Sequence, residues 1–254
     1  MKNLKEKEFK KLKIKKNYII ISSIIAVLLV IFFHIKITYF LEYFSKYFKE
    51  GVKEFETKNI ISKLYWIRAV IKIIIFITPM LLYKLFFKES VFNFLSFKNK
   101  INKKAIYFSL FSILFIFLGF YLIKNYIDMD KIIQNMRKIA FNKTNYIFMY
   151  IYIFTINAFL EEMFFRGYLF LKLSKFMEEK HANIFSSFMF GIYHISIAGE
   201  LSFKLGIISV IGLFIVGYIF NLFNKDNKNI YSSYLIHASS NIAINTIGLI
   251  YIFL

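Results

Sequence analysis

The chain of 254 residues has no cysteine and only one proline. Without cysteine there can be no disulfide, no thiol nucleophile and no cysteine-ligated metal, although the compartment stays open. Nine glycines and a single proline leave no Pro/Gly/Ser-rich stretch long enough to separate one folding unit from another. Acidic residues are scarce as well, 15 against 34 lysines and arginines, for a formal net charge of +19.

That charge invites a nucleic-acid partner, but no folded soluble portion is legible to carry a nucleic-acid motif, so none is expected. Lysines flanking apolar runs instead set topology and touch anionic headgroups, making the lipid bilayer the expected partner. Hydrophobic residues make up 58% of the chain and aromatics 21%. They fall into near-continuous runs of the roughly 20 residues that cross a bilayer core. The expected fold class is therefore all-α: a polytopic bundle of about seven membrane-spanning helices. The spans are read at about 18–41, 65–83, 105–123, 146–171, 182–198, 205–223 and 230–254. A basic arm, 1–17, precedes a single transmembrane domain, 18–254. The first span is longer than a signal-peptide core and lacks a small-residue cleavage site, so it reads as a retained helix.

Basic residues in short loops stay on the cytoplasmic side. The arm 1–17 and the loops 84–104, 172–181 and 224–229 hold nineteen, against eleven in the opposite loops. A multi-pass protein of the cell membrane is expected, with its N-terminus inside and its C-terminus outside.

Polar residues within apolar spans are costly and usually functional. Glu161, Glu162 and Arg166 stand in "LEEMFFRGYLF", His194 in "FGIYHIS", and His237 with Asn241 in "LIHASSN". Glu162 and Arg166 are four apart, a spacing that pairs acid and base on one helical face. Glu161 is turned away by about 100°, so one glutamate is expected to be held structurally and the other left free. At a helical rise of about 1.5 Å per residue, Glu161 lies about 15 Å deep, His194 about 18 Å, His237 about 10 Å and Asn241 about 16 Å. His34 lacks an acidic partner in its span and His181 sits at a helix start, so both read as structural.

The ordered set EExxxR (Glu161, Glu162, Arg166), FxxxH (Phe190, His194) and HxxxN (His237, Asn241) resembles the CPBP intramembrane proteases, also called the Abi or type II CAAX prenyl endopeptidase family. The resemblance covers about 146–254. It implies an intramembrane endopeptidase in which Glu161 is the general base and His194 positions the water. His237 and Asn241 would bind that water or stabilise the oxyanion, with Glu162, Arg166 and Phe190 in support. Members are often labelled metalloproteases, and His194, His237 and Glu161 would be the zinc ligands. HExxH is absent, however, and one carboxylate cannot readily be both ligand and base. No cofactor is therefore the preferred expectation, with a divalent metal such as zinc as the alternative.

The expected substrate is a membrane-associated peptide or protein rather than a prenylated GTPase, since the lysine-rich, cysteine-free composition looks bacterial. Bacterial members are commonly linked to bacteriocin processing or self-immunity. Two other classes remain open: a non-catalytic immunity or scaffold protein that kept the fold, and a proton-coupled transporter. The transporter should show an internal repeat with broken helices, and none is found. The oligomeric state is not legible.

Overall fold

A computed structural model describes residues 2–48, 54–96, 101–126, 143–195 and 203–253. Every regular element among them is helical, as the apolar runs require: in lipid, backbone N–H and C=O groups must be satisfied within the segment. The chain runs through α1 (Lys2–Phe48), α2 (Glu54–Phe87) and α3 (Lys103–Ile123). A compound helix follows, made of α4 (Lys143–Tyr152), a π-helical turn (Ile153–Asn157), the single α-turn α5 (Ala158–Glu161) and a π-helical stretch (Glu162–Lys172). Then come α6 (Glu179–Tyr193), α7 (Phe203–Lys225) and α8 (Tyr231–Phe253). Residues 2–17 of the basic arm are themselves helical, the opening turns of α1.

Five stretches among the described residues are long and apolar enough to span a membrane: Glu6–Ile37, Tyr65–Phe87, Lys103–Leu122, Tyr146–Lys175 and Gly206–Lys225. The remaining two expected spans, 182–198 and 230–254, fall on α6 and α8. α6 is 15 residues long, about 22 Å at a helical rise, and the end of its expected span, 196–198, lies outside the described residues. α8 has the length, but Ser232, Ser233, His237, Ser239, Ser240, Asn241, Asn245 and Thr246 dilute its apolar character.

The residues divide into two compact units. The first combines residues 1–33, 72–102 and 160–233. Its core is aromatic: Phe76 of α2 stacks on Phe164 with ring centroids 4.2 Å apart and planes 5° from parallel. Phe165 meets the edges of both Phe76 and Phe190. Such pairs contribute about 0.5 to 1.5 kcal/mol each beyond area burial. α6 and α7 approach closely because small residues line their contact. A Cβ added to Gly191 would lie 2.6 Å from the backbone oxygen of Val210, and one on Gly217 would lie 3.2 Å from Ser187 Cα. Amides and hydroxyls fasten the same contact: Asn221 donates to Asn183 Oδ1 at 2.7 Å, and Ser186 donates to the Phe165 carbonyl at 2.7 Å.

The second unit combines residues 34–71, 103–159 and 234–254. Tyrosines tie α4 to α8 within it: Tyr146 donates to the Asn245 carbonyl at 2.5 Å, and the hydroxyls of Tyr150 and Thr246 are 3.0 Å apart. α3 leaves Phe108, Phe111, Leu114, Phe115 and Leu118 exposed. Against acyl chains that exposure costs nothing, which is why α3 needs no polar face.

Candidate active site

Glu161 closes the one α-turn between two π-helical segments. π-helical insertions re-aim side chains and occur often at functional sites; here they straddle the acidic pair. Glu161 is 3% exposed. Lys72 of α2 places its ammonium 2.6 Å from Glu161 Oε1, and the Tyr193 hydroxyl donates to the same oxygen at 3.1 Å. The Lys72 nitrogen also lies 4.8 Å from the centre of the Tyr193 ring. The expectation that one glutamate is left free is thereby corrected: Glu161 has a counterion from a distant helix, because a buried carboxylate is tolerated only when paired and hydrogen-bonded.

His194 follows the last turn of α6, its Nδ1 2.8 Å from the Phe190 carbonyl. A carbonyl only accepts, so Nδ1 carries the proton and, in the neutral ring, Nε2 presents a lone pair. That Nε2 is 3.8 Å from Glu161 Oε2. The four-residue step from Phe190 to His194 thus fixes both the tautomer and the aim of the imidazole.

Glu162 and Arg166 pair as their spacing predicts, with Arg166 Nε 3.3 Å from Glu162 Oε2 and both side chains fully buried. Ser233, at the start of α8, donates to Glu162 Oε2 and receives a hydrogen bond of 2.5 Å from the Asn224 amide. The guanidinium lies 3.9 Å from the centre of the Phe190 ring and 5.1 Å from that of Phe220. Phe190 therefore serves both groups, stacking on Arg166 with its ring and orienting His194 with its carbonyl.

His237 and Asn241 lie one turn apart on α8, in the second unit. His237 is buried, and the Asn241 amide donates to the Ile153 carbonyl in the first π-turn at 3.4 Å. Also in that unit, His34 Nδ1 is 3.4 Å from Arg68 Nη1, while His181 of α6 is 3.3 Å from Glu178 at the protein surface.

A zinc ion held by Glu161, His194 and His237 would need three converging donors. Among the described residues no group of three His, Asp or Glu side chains is gathered in that way, and an ammonium already occupies Glu161 Oε1 at 2.6 Å.

Sequence reasoning missed Lys72, Tyr193 and Ser233. Lys72 was visible as a lone charge inside "AVIKIIIFITP", and a lysine there needs a partner. Tyr193 adjoins a chosen histidine, but its hydroxyl gives no pattern of its own.

No curated protein and no solved structure matches the chain. Residues 143–243 match the Rce1-like family, described as type II CAAX prenyl endopeptidase Rce1-like. The match takes in Glu161, Glu162, Arg166, Phe190, His194, His237 and Asn241 and leaves out Lys72. Over this portion the chain is similar to the CPBP/CAAX protease family.

Proposed function

We propose that the protein is an intramembrane endopeptidase that cleaves a membrane-associated peptide or protein with water activated by Glu161. The observation that carries the reading is the pairing of Glu161 Oε2 with His194 Nε2 at 3.8 Å, inside the segment that matches the protease family. Both atoms accept hydrogen bonds, and one water donating to each can bridge that separation. Lys72 and Tyr193 hold the other carboxylate oxygen and so direct Oε2 toward the imidazole.

In the proposed reaction the water oxygen attacks the peptide carbonyl carbon while Glu161 takes its proton. The C–N bond then breaks and the proton passes to the leaving amine. Donors for the developing oxyanion are required, and His237 and Asn241 are the residues we assign to it. No metal is invoked: a chelator should leave activity intact. We further propose that the protein is a multi-pass cell-membrane protein whose cytoplasmic N-terminus and outer C-terminus follow from its lysines, with a role in bacteriocin processing or self-immunity.

Purified protein in detergent, incubated with a quenched peptide library, tests the proposal. Glu161→Gln keeps the shape but cannot take the proton, so cleavage should fall by about two to four orders of magnitude. Cleavage at the wild-type rate would remove Glu161 from the mechanism. Full biological activity of that variant would favour a non-catalytic immunity or scaffold role.

A further inference from the structure

Three spans end together in the first unit. Tyr65–Phe87 runs out just before Ser90, Tyr146–Lys175 ends at Lys175, and Gly206–Lys225 ends at Lys225. Their ends enclose a cavity of about 430 Å³, within the roughly 300 to 1,000 Å³ of small-ligand sites. Its walls carry the ammonium groups of Lys172, Lys175, Lys225 and Lys228 against one carboxylate, Glu179.

The balance stays positive after the neighbouring acids are counted. Glu179 lies 3.6 Å from Lys225, and Glu89, beside the cavity, lies 3.3 Å from Lys172 and also pairs with Lys15. Part of the charge answers the negative C-terminal ends of the helices, where Lys172 and Lys225 sit in the last turns. Lys228 lies beyond any helix. It caps α7 by donating its backbone N–H to the Asn224 carbonyl at 2.8 Å, with φ at 50°. Glycine or asparagine ordinarily fills that left-handed cap, so a lysine there puts a cation where the backbone alone would not ask for one.

The remaining lining is mixed. Ser90, Asn93 and Ser174 supply polar groups, while Val91, Phe94 and Phe170 supply an apolar floor. Phe94 is seated by a close approach: a Cβ on Gly167 would run into its ring. A cation-rich, partly apolar hollow where three spans end lies at the level of lipid headgroups, and basic pockets between membrane helices bind anionic headgroups.

We propose that this cavity binds the phosphate of an anionic phospholipid headgroup, with Lys175 and Lys228 as its principal contacts and the apolar floor against the first methylenes of the lipid. The site is separate from Glu161 and does not depend on the protease reading.

The full-length protein, delipidated in a non-ionic detergent, should be titrated with phosphatidylglycerol, phosphatidylcholine and inorganic phosphate, following the melting temperature and the lipid retained in native mass spectra. Phosphatidylglycerol should bind saturably where phosphatidylcholine does not. Lys175→Gln and Lys228→Gln should each weaken it about fivefold, following the contribution of one lysine at a membrane surface. Both side chains are exposed, so melting without lipid should not change. Lys103→Gln with Lys104→Gln removes the same charge from the start of α3, which does not line the cavity, and should leave lipid binding unaltered. Equal weakening by that control pair would show general surface attraction and overturn the site. Saturable stabilisation by inorganic phosphate with none by phosphatidylglycerol would make it a free-anion site and overturn the lipid. Undiminished binding by the Lys175→Gln/Lys228→Gln protein would overturn it outright.

Discussion

Replacing Lys72 by methionine removes one charge while nearly keeping the volume of the side chain. In the folded protein it would leave the Glu161 carboxylate, whose side chain is 4% exposed, without the ammonium now 2.6 Å away. Breaking a buried pair by removing one partner costs about 3 to 5 kcal/mol, because the remaining charge keeps its desolvation penalty and loses its compensation. Two unit charges about 4 Å apart attract by about 4 kcal/mol at an effective dielectric of 20, which is the same scale. For a chain of this size about 2 to 4 °C accompanies each kcal/mol, so the melting temperature in detergent should fall by about 6 to 20 °C. Glu161→Gln alone should also destabilise, by stranding Lys72. The double variant Lys72→Met/Glu161→Gln carries neither charge and should recover much of the loss, for a coupling of about 2 kcal/mol or more in the double-mutant cycle. It should still not cleave peptide, which separates folding from chemistry. Additive losses, or an unchanged melting temperature for Lys72→Met, would refute the pairing.

Glu162→Gln and Arg166→Gln should each lower the yield of folded protein for the same reason, and the double change should restore some of it. Arg166→Lys should not rescue, since a lysine cannot stack its head flat between Phe190 and Phe220; melting curves decide. Hydrogen bonds from Lys15 first, then from Lys172 and Tyr83, hold the Glu89 carboxyl down to about 2 from its ordinary 4.5. A depressed carboxyl contributes stability that is complete above about pH 4.5 and lost as pH falls toward 2, so melting temperature should drop across that window and Glu89→Gln should flatten the drop. Gly191→Ala drives a Cβ to 2.6 Å from the Val210 backbone oxygen, whereas nothing lies within 4 Å of one at Gly212; the first should destabilise markedly and the second should melt like the wild type.

The all-helical fold was legible because a membrane leaves few alternatives: long apolar runs must be helices to satisfy their own backbone. Which helices carry polar side chains is where that rule does not decide. α8 reads as a span by length alone, yet its serines and asparagines are side chains through which it bonds to other segments, as Ser233 does to Glu162 and Asn241 does to the Ile153 carbonyl. The π-helical stretch Glu162–Lys172 could not be read at all, because a change from i+4 to i+5 bonding leaves no mark in apolar periodicity over eleven residues.

The site divides along the same physical line. Glu162 with Arg166, and Phe190 with His194, were legible because each pair lies one turn apart on a single helix, where spacing alone fixes proximity. Lys72 is 89 positions from Glu161, and no local periodicity connects them. The cost of burying charge does connect them: an intramembrane lysine and an intramembrane glutamate with no neighbour on its own face each demand a partner. His34 and Arg68 answer each other across α1 and α2, and Arg166 answers Glu162. By sequence, Lys36 and Lys72 are both cations within spans that could answer Glu161, and the fold selects Lys72.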